Sequence, residues 1–213
     1  MEKLFIEAKY TGKIAIDKKD IAQLPKNIGL ATTVQFVDCL KDIKKQLIGK
    51  NVFFDKAKQK YPGQILGCDV SSAEKIKNKV DAFLYIGTGH FHPIALGLLG
   101  KEVYILNPFD GRIKKQDKSI IENYQKRKKG AMLKFLNAKN VGFIISTKAG
   151  QNYPIKKLEL IEKKYKDKKF YYFVADQIDI NQLENFKFIE SWVNTACHRL
   201  EEDFSFVNIK DLN

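Results

Sequence analysis

Short apolar runs recur along this chain, separated by longer stretches whose apolar positions fall at helical spacing. That alternation predicts βαβ units around parallel sheets, because strands covered by helices on both faces read as nearly continuous hydrophobic runs. In the first half the predicted strands are NIGLATT (27–33), NVFF (51–54), DAFLYIG (81–87) and KEVYILN (101–107); in the second half they are VGFIIST (141–147), KFYYFVA (169–175) and FIESWVNT (188–195). The segment 34–48, VQFVDCLKDIKKQLI, predicts an amphipathic helix with Phe36, Val37, Leu40, Ile43 and Leu47 on one stripe. Cys39 lies beside that stripe and reads as a packing thiol.

A charged segment, DKSIIENYQKRKKGAMLKFLNAKN (117–140), separates the two strand sets and predicts a joining helix. The chain thus reads as α/β, with two small parallel-sheet domains: a middle-type unit over 26–115, and a linker helix with a last unit over 116–213. Residues 1–25 form a short N-terminal segment in which LFIEA and KIAI are candidate short strands.

Composition narrows the class. A chain of 213 residues, 44% of them hydrophobic, has enough apolar material for two compact cores. No apolar stretch approaches the roughly 20 residues of a membrane span, and MEKLFIEAKY lacks the apolar segment and cleavage site of a signal peptide, so a cytoplasmic protein is expected. Three widely spaced cysteines, Cys39, Cys68 and Cys197, make no disulfide framework and are available as thiols in a reducing compartment.

The net charge of +13 raises the question of a nucleic-acid partner. Only Arg112, Arg127 and Arg199 among the 38 basic residues carry the bidentate fork that base and phosphate recognition favours. Lysine runs such as Lys163–Lys164 and Lys168–Lys169 read instead as solvated surface. An acidic macromolecular partner stays open, with QKRKKG (125–130) as the densest contact.

In an open parallel sheet, loops at the carboxyl ends of strands converge on a crevice, so polar residues just after apolar runs are the first candidates for chemistry. Four such loops stand out: GTGHFHP (87–93), NPFDGR (107–112), STKAGQ (146–151) and the loop NTACHRL (194–200). A fifth segment, YPGQILGCDVSSAEKI (61–76), places a glycine before Cys68 and offers a capping box if Ser71 is the cap and Glu74 reaches back to it. Gly87 and Gly89 either let backbone N–H groups approach an anion or serve a tight βα turn. His90 and His92 either ligate a metal, weakly specified by their spacing, or cap and pack. Lys148 can neutralise an anion and Gln151 can give directional hydrogen bonds. Cys68 and Cys197 are either two unrelated cysteines or two thiols that meet across a cleft, where Arg199, and His198 when protonated, would favour the thiolate.

With these residues assembled, the chain resembles the diphthamide synthase radical family, which begins diphthamide formation on translation elongation factor 2. The resemblance is carried by TVQFVDCL, YPGQILGCDVSSAEKI, DAFLYIGTGHFHPIALGL, VYILNPFDG, KNVGFIISTKAGQ and FIESWVNTACHRLEED, which occur in family order over most of residues 27–203. It implies α/β domains that each contribute one cysteine to a [4Fe-4S] cluster, with Cys68 matching the ligand of the middle domain and Cys197 that of the last. It further implies S-adenosylmethionine as second cofactor and transfer of its 3-amino-3-carboxypropyl group, by a radical route, to a histidine of elongation factor 2. The cofactors then supply the difficult chemistry and the protein orients them. By position, Gly87, Thr88, Gly89, His90 and His92, with Ser146, Lys148 and Gln151, are expected to help bind the methionine part of that cofactor.

Two departures from the family pattern shape the expectation. The chain begins just before what would be the middle domain, so a third thiolate is expected from a partner chain in a homo- or hetero-oligomer, from Cys39 by an unexpected fold, or not at all. His198 stands where the family usually has proline, while the acidic pair Glu202–Asp203 follows the motif as the family implies. A non-catalytic scaffold subunit that keeps the fold, and a basic RNA-associated protein, are the competing expectations.

Overall fold

A computed structural model describes residues 4, 6–151, 153–201 and 204–212 of the chain. They form two compact units, Met1–Ile121 and Glu122–Asn213.

The first unit is built on β1 (Asn27–Thr32), β2 (Asn51–Phe53), β3 (Ala82–Ile86), β4 (Glu102–Leu106) and β5 (Ile113–Lys115), in the order β2-β1-β3-β4-β5. The first four are parallel, and β5 turns back antiparallel on β4. Alternation along the strands divides the core. Ile28, Leu30, Leu84, Ile86, Tyr104 and Leu106 enter one apolar cluster, while Ala31, Phe83, Tyr85 and Val103 enter another. Both faces are therefore covered, which is why the strands read as continuous apolar runs.

Helix α1 (Lys18–Ile21) and α2 (Leu40–Gln46) accompany the first cluster, whereas α3 (Ser71–Glu74) and α4 (Phe91–Gly97) accompany the second. The helix expected over 34–48 is a tight 3-10 helix from Val34 to Cys39 continued by α2, and all five residues of the expected stripe are buried. LFIEA and KIAI form no strand among the described residues. Ile14 and Ile16 instead bury their side chains, and Gln46 takes the place of a neighbouring strand by accepting the Ile16 N–H at 2.9 Å and donating to the Ile14 carbonyl at 2.8 Å.

The second unit carries β6 (Asn140–Ser146), β7 (Lys169–Ala175), β8 (Ser191–Asn194) and β9 (Val207–Asn208), all parallel, in the order β7-β6-β8-β9. Helix α5 (Lys118–Asn137) contributes Ala131 and Phe135, and α6 (Ile155–Lys164) contributes Leu158 and Ile161, to one cluster with Val141, Phe143 and Ile145. The other face packs Ile144, Leu183, Ile189, Trp192 and Phe206. Strand β8 is shorter than the expected 188–195; just ahead of it Glu190 donates its N–H to Asn140 O at 2.9 Å and sets its carboxylate on the N–H groups of Lys139 and Asn140. No helix among the described residues is long and apolar enough to cross a membrane.

Candidate functional site

The carboxyl ends of β1, β3 and β4 finish level, since Thr32 pairs with Ile86 and Ile86 with Leu106. Thr32 locks this edge by donating its hydroxyl to the Ile86 carbonyl at 2.7 Å. The chain around Gln64 joins the same edge: the Thr32 N–H reaches Gly63 O at 2.9 Å and the Ile65 N–H reaches Thr32 O at 2.8 Å. Just beyond, Leu66 and Asp69 exchange backbone hydrogen bonds of 2.9 and 3.1 Å, leaving Gly67 and Cys68 as the two residues of a tight hairpin turn. Cys68 is exposed.

Two contacts hold this turn. Asp69 accepts the Ser71 N–H at 3.0 Å and the Gln59 amide at 2.7 Å. Burial raises its carboxyl pKa, but those hydrogen bonds outweigh it and leave the group below its ordinary range. Gly67, in turn, has the Phe91 ring against its α-carbon: a Cβ there would stand 1.9 Å from that ring. The Cys68 turn and the GTGHFH loop are thereby seated on one another. The capping box expected at Ser71 does not form. Val70 occupies the cap position, Ser71 is the first helical residue, and Asp69 takes the acceptor role two residues ahead of it.

In the GTGHFH loop, Gly87 has φ +150° and lies against the buried Tyr85 phenol, so a side chain there would meet both a strained backbone and that ring. Gly89 has φ +76°. Thr88, Gly89 and His90 are exposed. His90 holds the cap position of α4 without a side-chain cap bond, while His92 stacks on Tyr85 with ring centroids 5.6 Å apart and its Nδ1 3.2 Å from the tyrosine oxygen. Burial pushes the Tyr85 phenol up to about 12. His92 is thus a packed ring. Thr33 Oγ1, beside the end of β1, is a buried polar atom without a partner among the described residues.

The loop NPFDGR spends its polar groups on its own backbone and on α1. Asn107 accepts the Phe109 N–H, Asp110 accepts the Arg112 N–H, and Arg112 pairs with Asp20 at 3.0 Å.

In the second unit, Ser146 pairs with Ala175 and Asn194 with Asn208, so the loops after β6 and β8 leave from the carboxyl edge of that sheet. Ser146 is buried and accepts the Lys148 N–H at 3.2 Å; Gln151 closes the turn through its N–H on Lys148 O at 3.0 Å, with Lys148 exposed. After β8, Thr195 clamps Ile144 O through both its N–H and its hydroxyl. Asn194 shapes the cysteine loop: its oxygen accepts the Ala196 N–H at 2.9 Å and its Nδ2 donates to Cys197 O at 3.0 Å. Glu201, buried behind them, accepts from Asn194, Asn208 and Tyr124.

Cys197 is half-buried, and Arg199 beside it is exposed. Burial pushes the His198 imidazole below its ordinary value, which favours the neutral ring. Cys39 is half-buried against the first core, and burial, with Asp38 and Asp42 nearby, pushes its thiol up. Among the described residues no three His, Cys, Asp or Glu side chains converge as a metal-binding set. Glu202 and Asp203 lie outside the described residues. Sequence reasoning missed Asp69 and Glu201, whose roles depend on partners brought in by the fold; Asn194, just ahead of the cysteine, was the one local signal.

These features define an α/β protein of two parallel-sheet units, each presenting a cysteine loop from the carboxyl edge of its sheet. The family profile described as "Putative diphthamide synthesis protein" matches residues 4–205, and the chain belongs to that family. A 2-(3-amino-3-carboxypropyl)histidine synthase subunit 1 from Nematostella vectensis is 30% identical over 182 residues, 83% of this chain and 38% of that protein. A 2-(3-amino-3-carboxypropyl)histidine synthase from Pyrococcus horikoshii is 29% identical over 191 residues, 86% of this chain and 54% of that protein. The crystal structure of Dph2 from Pyrococcus horikoshii with a 4Fe-4S cluster superposes with a TM-score of 0.75 at 28% identity, over 91% of this chain and 59% of that one. The chain spans about half the length, or less, of the curated relatives it matches.

Proposed function

We propose that this chain serves the first step of diphthamide biosynthesis, as a subunit of a 2-(3-amino-3-carboxypropyl)histidine synthase acting in the cytoplasm on a histidine of translation elongation factor 2. Family membership and the names of its relatives support the step. The observation that carries the site is the contrast among the three thiols: Cys68 and Cys197 stand in loops at the carboxyl edges of their sheets, whereas Cys39 packs into a helix.

In this reading Cys68 and Cys197 are the donors of two soft thiolates to a [4Fe-4S] cluster, each on a loop braced by hydrogen bonds. The further thiolate comes, in this reading, from a partner polypeptide. When bound, the cluster supplies the electron that cleaves S-adenosylmethionine and frees its 3-amino-3-carboxypropyl group. The chain's own loops bind and orient. The loop of Gly87, Thr88, Gly89, His90 and His92 and the loop of Ser146, Lys148 and Gln151 help bind the methionine part of that cofactor, Lys148 as a cation and Gln151 as an amide. The lysine-rich surface meets the elongation factor.

Anaerobic purification with and without candidate partner chains, followed by iron analysis and visible absorbance, tests the reading. Brown protein whose iron falls in Cys68→Ala and Cys197→Ala is expected. Colourless, iron-free protein under every condition overturns it. The competing reading is a scaffold subunit without chemistry. It predicts that both alanine variants sustain diphthamide formation in cells.

A further inference from the structure

Glu201 is only 8% exposed, and a carboxylate at that depth needs donors. It has three. Tyr124 donates its hydroxyl to Oε2 at 3.3 Å, and Asn194 Nδ2 reaches Oε1 at 3.1 Å, where Asn208 Nδ2 also donates. Asn194 and Asn208 are the terminal residues of β8 and β9, paired with one another in register and buried to 0% and 3% exposure. One carboxylate therefore ties the ends of two adjacent strands to α5.

The same Asn194 shapes the cysteine loop. Its Nδ2 is shared between Glu201 and the Cys197 carbonyl, and its oxygen holds the Ala196 N–H. With Oδ1 and Nδ2 both engaged, the amide cannot rotate without breaking bonds on either side. A second restraint comes from Leu200, whose N–H returns to Cys197 O at 3.2 Å, so the loop from Asn194 to Glu201 closes on the cysteine from both directions. Burial, and then the carboxylate beside it, push the Tyr124 phenol up, which keeps it a donor.

We propose that Glu201 is a positioning residue for Cys197: it fixes the Asn194 amide, and through it the backbone that presents the thiol. The proposal deepens the reading of Cys197 as a cluster ligand and rests on that reading for its purpose, while the hydrogen bonds themselves stand apart from it. A purely structural carboxylate would stabilise the unit without governing the thiol, and the two roles separate experimentally.

In metal-free full-length protein, the alkylation rates of Cys197 and Cys68 are followed by peptide mass spectrometry, with circular dichroism as the check on folding. Glu201→Ala removes the acceptor that Tyr124, Asn194 and Asn208 share and is expected to raise the Cys197 rate about fivefold or more, with Cys68 within about twofold of wild type. Glu201→Gln keeps an oxygen for both asparagines and turns its amide to the Tyr124 oxygen, so Cys197 is expected to stay within about twofold of wild type. An unchanged Cys197 rate in Glu201→Ala overturns the proposal. So does a Glu201→Gln variant as reactive as Glu201→Ala, because charge and not the hydrogen-bonded geometry would then set the thiol. If Glu201→Ala does not fold, Tyr124→Phe decides: a rise of about twofold or more supports the proposal and no change overturns it. Reconstitution with iron and sulfide adds a separate arm, in which Glu201→Ala is expected to hold less than half the iron of wild type and Glu201→Gln to match it. Wild-type protein that takes up no iron with any partner defeats the cluster reading, and the alkylation rates then decide on Glu201 alone.

Discussion

The ring of Phe91 occupies the space that a side chain on Gly67 would need, with only 1.9 Å between that ring and an added Cβ. This contact joins two of the loops at the carboxyl edge of the first sheet, the one that turns at Cys68 and the one that follows β3. Gly67→Ala is expected to push the ring out and destabilise the protein by about 1–3 kcal/mol, the usual cost of overpacking. Phe91→Ala vacates the space, so the double variant is expected to be more stable than the sum of the single changes by at least about 0.5 kcal/mol. Urea denaturation of the four proteins measures this coupling. Strict additivity would mean that the two loops do not lean on one another.

A second relationship fixes the N-terminal segment. Asp20 accepts the Ile113 N–H at 2.8 Å and Arg112 Nε at 3.0 Å, holding α1 to β5. The Ile113 bond first, with Arg112 assisting against the cost of burial, keeps the Asp20 carboxyl below its ordinary value of 3.8. A carboxylate depressed in the fold contributes stability that is present above its unfolded value and is lost as pH falls through its folded one. Asp20→Asn should therefore lower the melting temperature near neutral pH, and the gap to wild type should close below pH 3.8 as the native carboxyl protonates. Melting curves of both proteins across this range measure it. A gap independent of pH would show that charge at Asp20 contributes nothing.

Lys168, expected on the solvated surface, is instead the most deeply set ammonium among the described ion pairs, with 2% of its side chain exposed. It donates to the carbonyls of Leu136 and Ala138 at 2.8 Å each and sits 5.4 Å from the Phe135 ring centroid, so it closes the carboxyl end of α5. Lys168→Met keeps the stem and removes the donor, leaving two carbonyls short of a partner. A loss of about 1–3 kcal/mol is expected, read from the urea midpoint. Lys168→Met at wild-type stability would show that water replaces the ammonium without cost.

How much of this was legible in the sequence follows from range. Strands with continuous apolar runs, such as DAFLYIG and VGFIIST, announced themselves because burial on both faces needs no polar alternation. The stripe from Phe36 to Leu47 was equally plain, although its first turns wind as 3-10 helix. Strands β5 and β9 were not, since IKK and VN are too short and, in β5, too polar to carry a period. At the site, the cysteine loops were visible as glycine- and amide-rich breaks after apolar runs. Their bracing was not. Asp69 gathers Gln59 from ten residues away and Glu201 gathers Tyr124 from 77 residues away, partners that only the fold brings near. At His92 the sequence leaves ligand and packing roles open, because it cannot display the Tyr85 ring on which the imidazole stacks.

The three thiols offer the sharpest remaining test. Cys39 is half-buried against the core, and burial, with Asp38 and Asp42 beside it, disfavours its thiolate. Cys68 is exposed at the turn that Leu66 and Asp69 close. Since the thiolate is the reacting species, iodoacetamide should label Cys68 faster than Cys39 by about tenfold in metal-free protein near neutral pH. Raising the pH should narrow that ratio only in part, because higher pH restores the Cys39 thiolate but not access to it. The same contrast should govern iron: Cys39→Ser is expected to keep wild-type iron in the reconstituted complex, while Cys68→Ala loses it. Should Cys39→Ser shed iron as Cys68→Ala does, the division into one packing thiol and two ligand thiols fails, and helix α2 with its preceding turn would have to be reconsidered as a cluster-binding element.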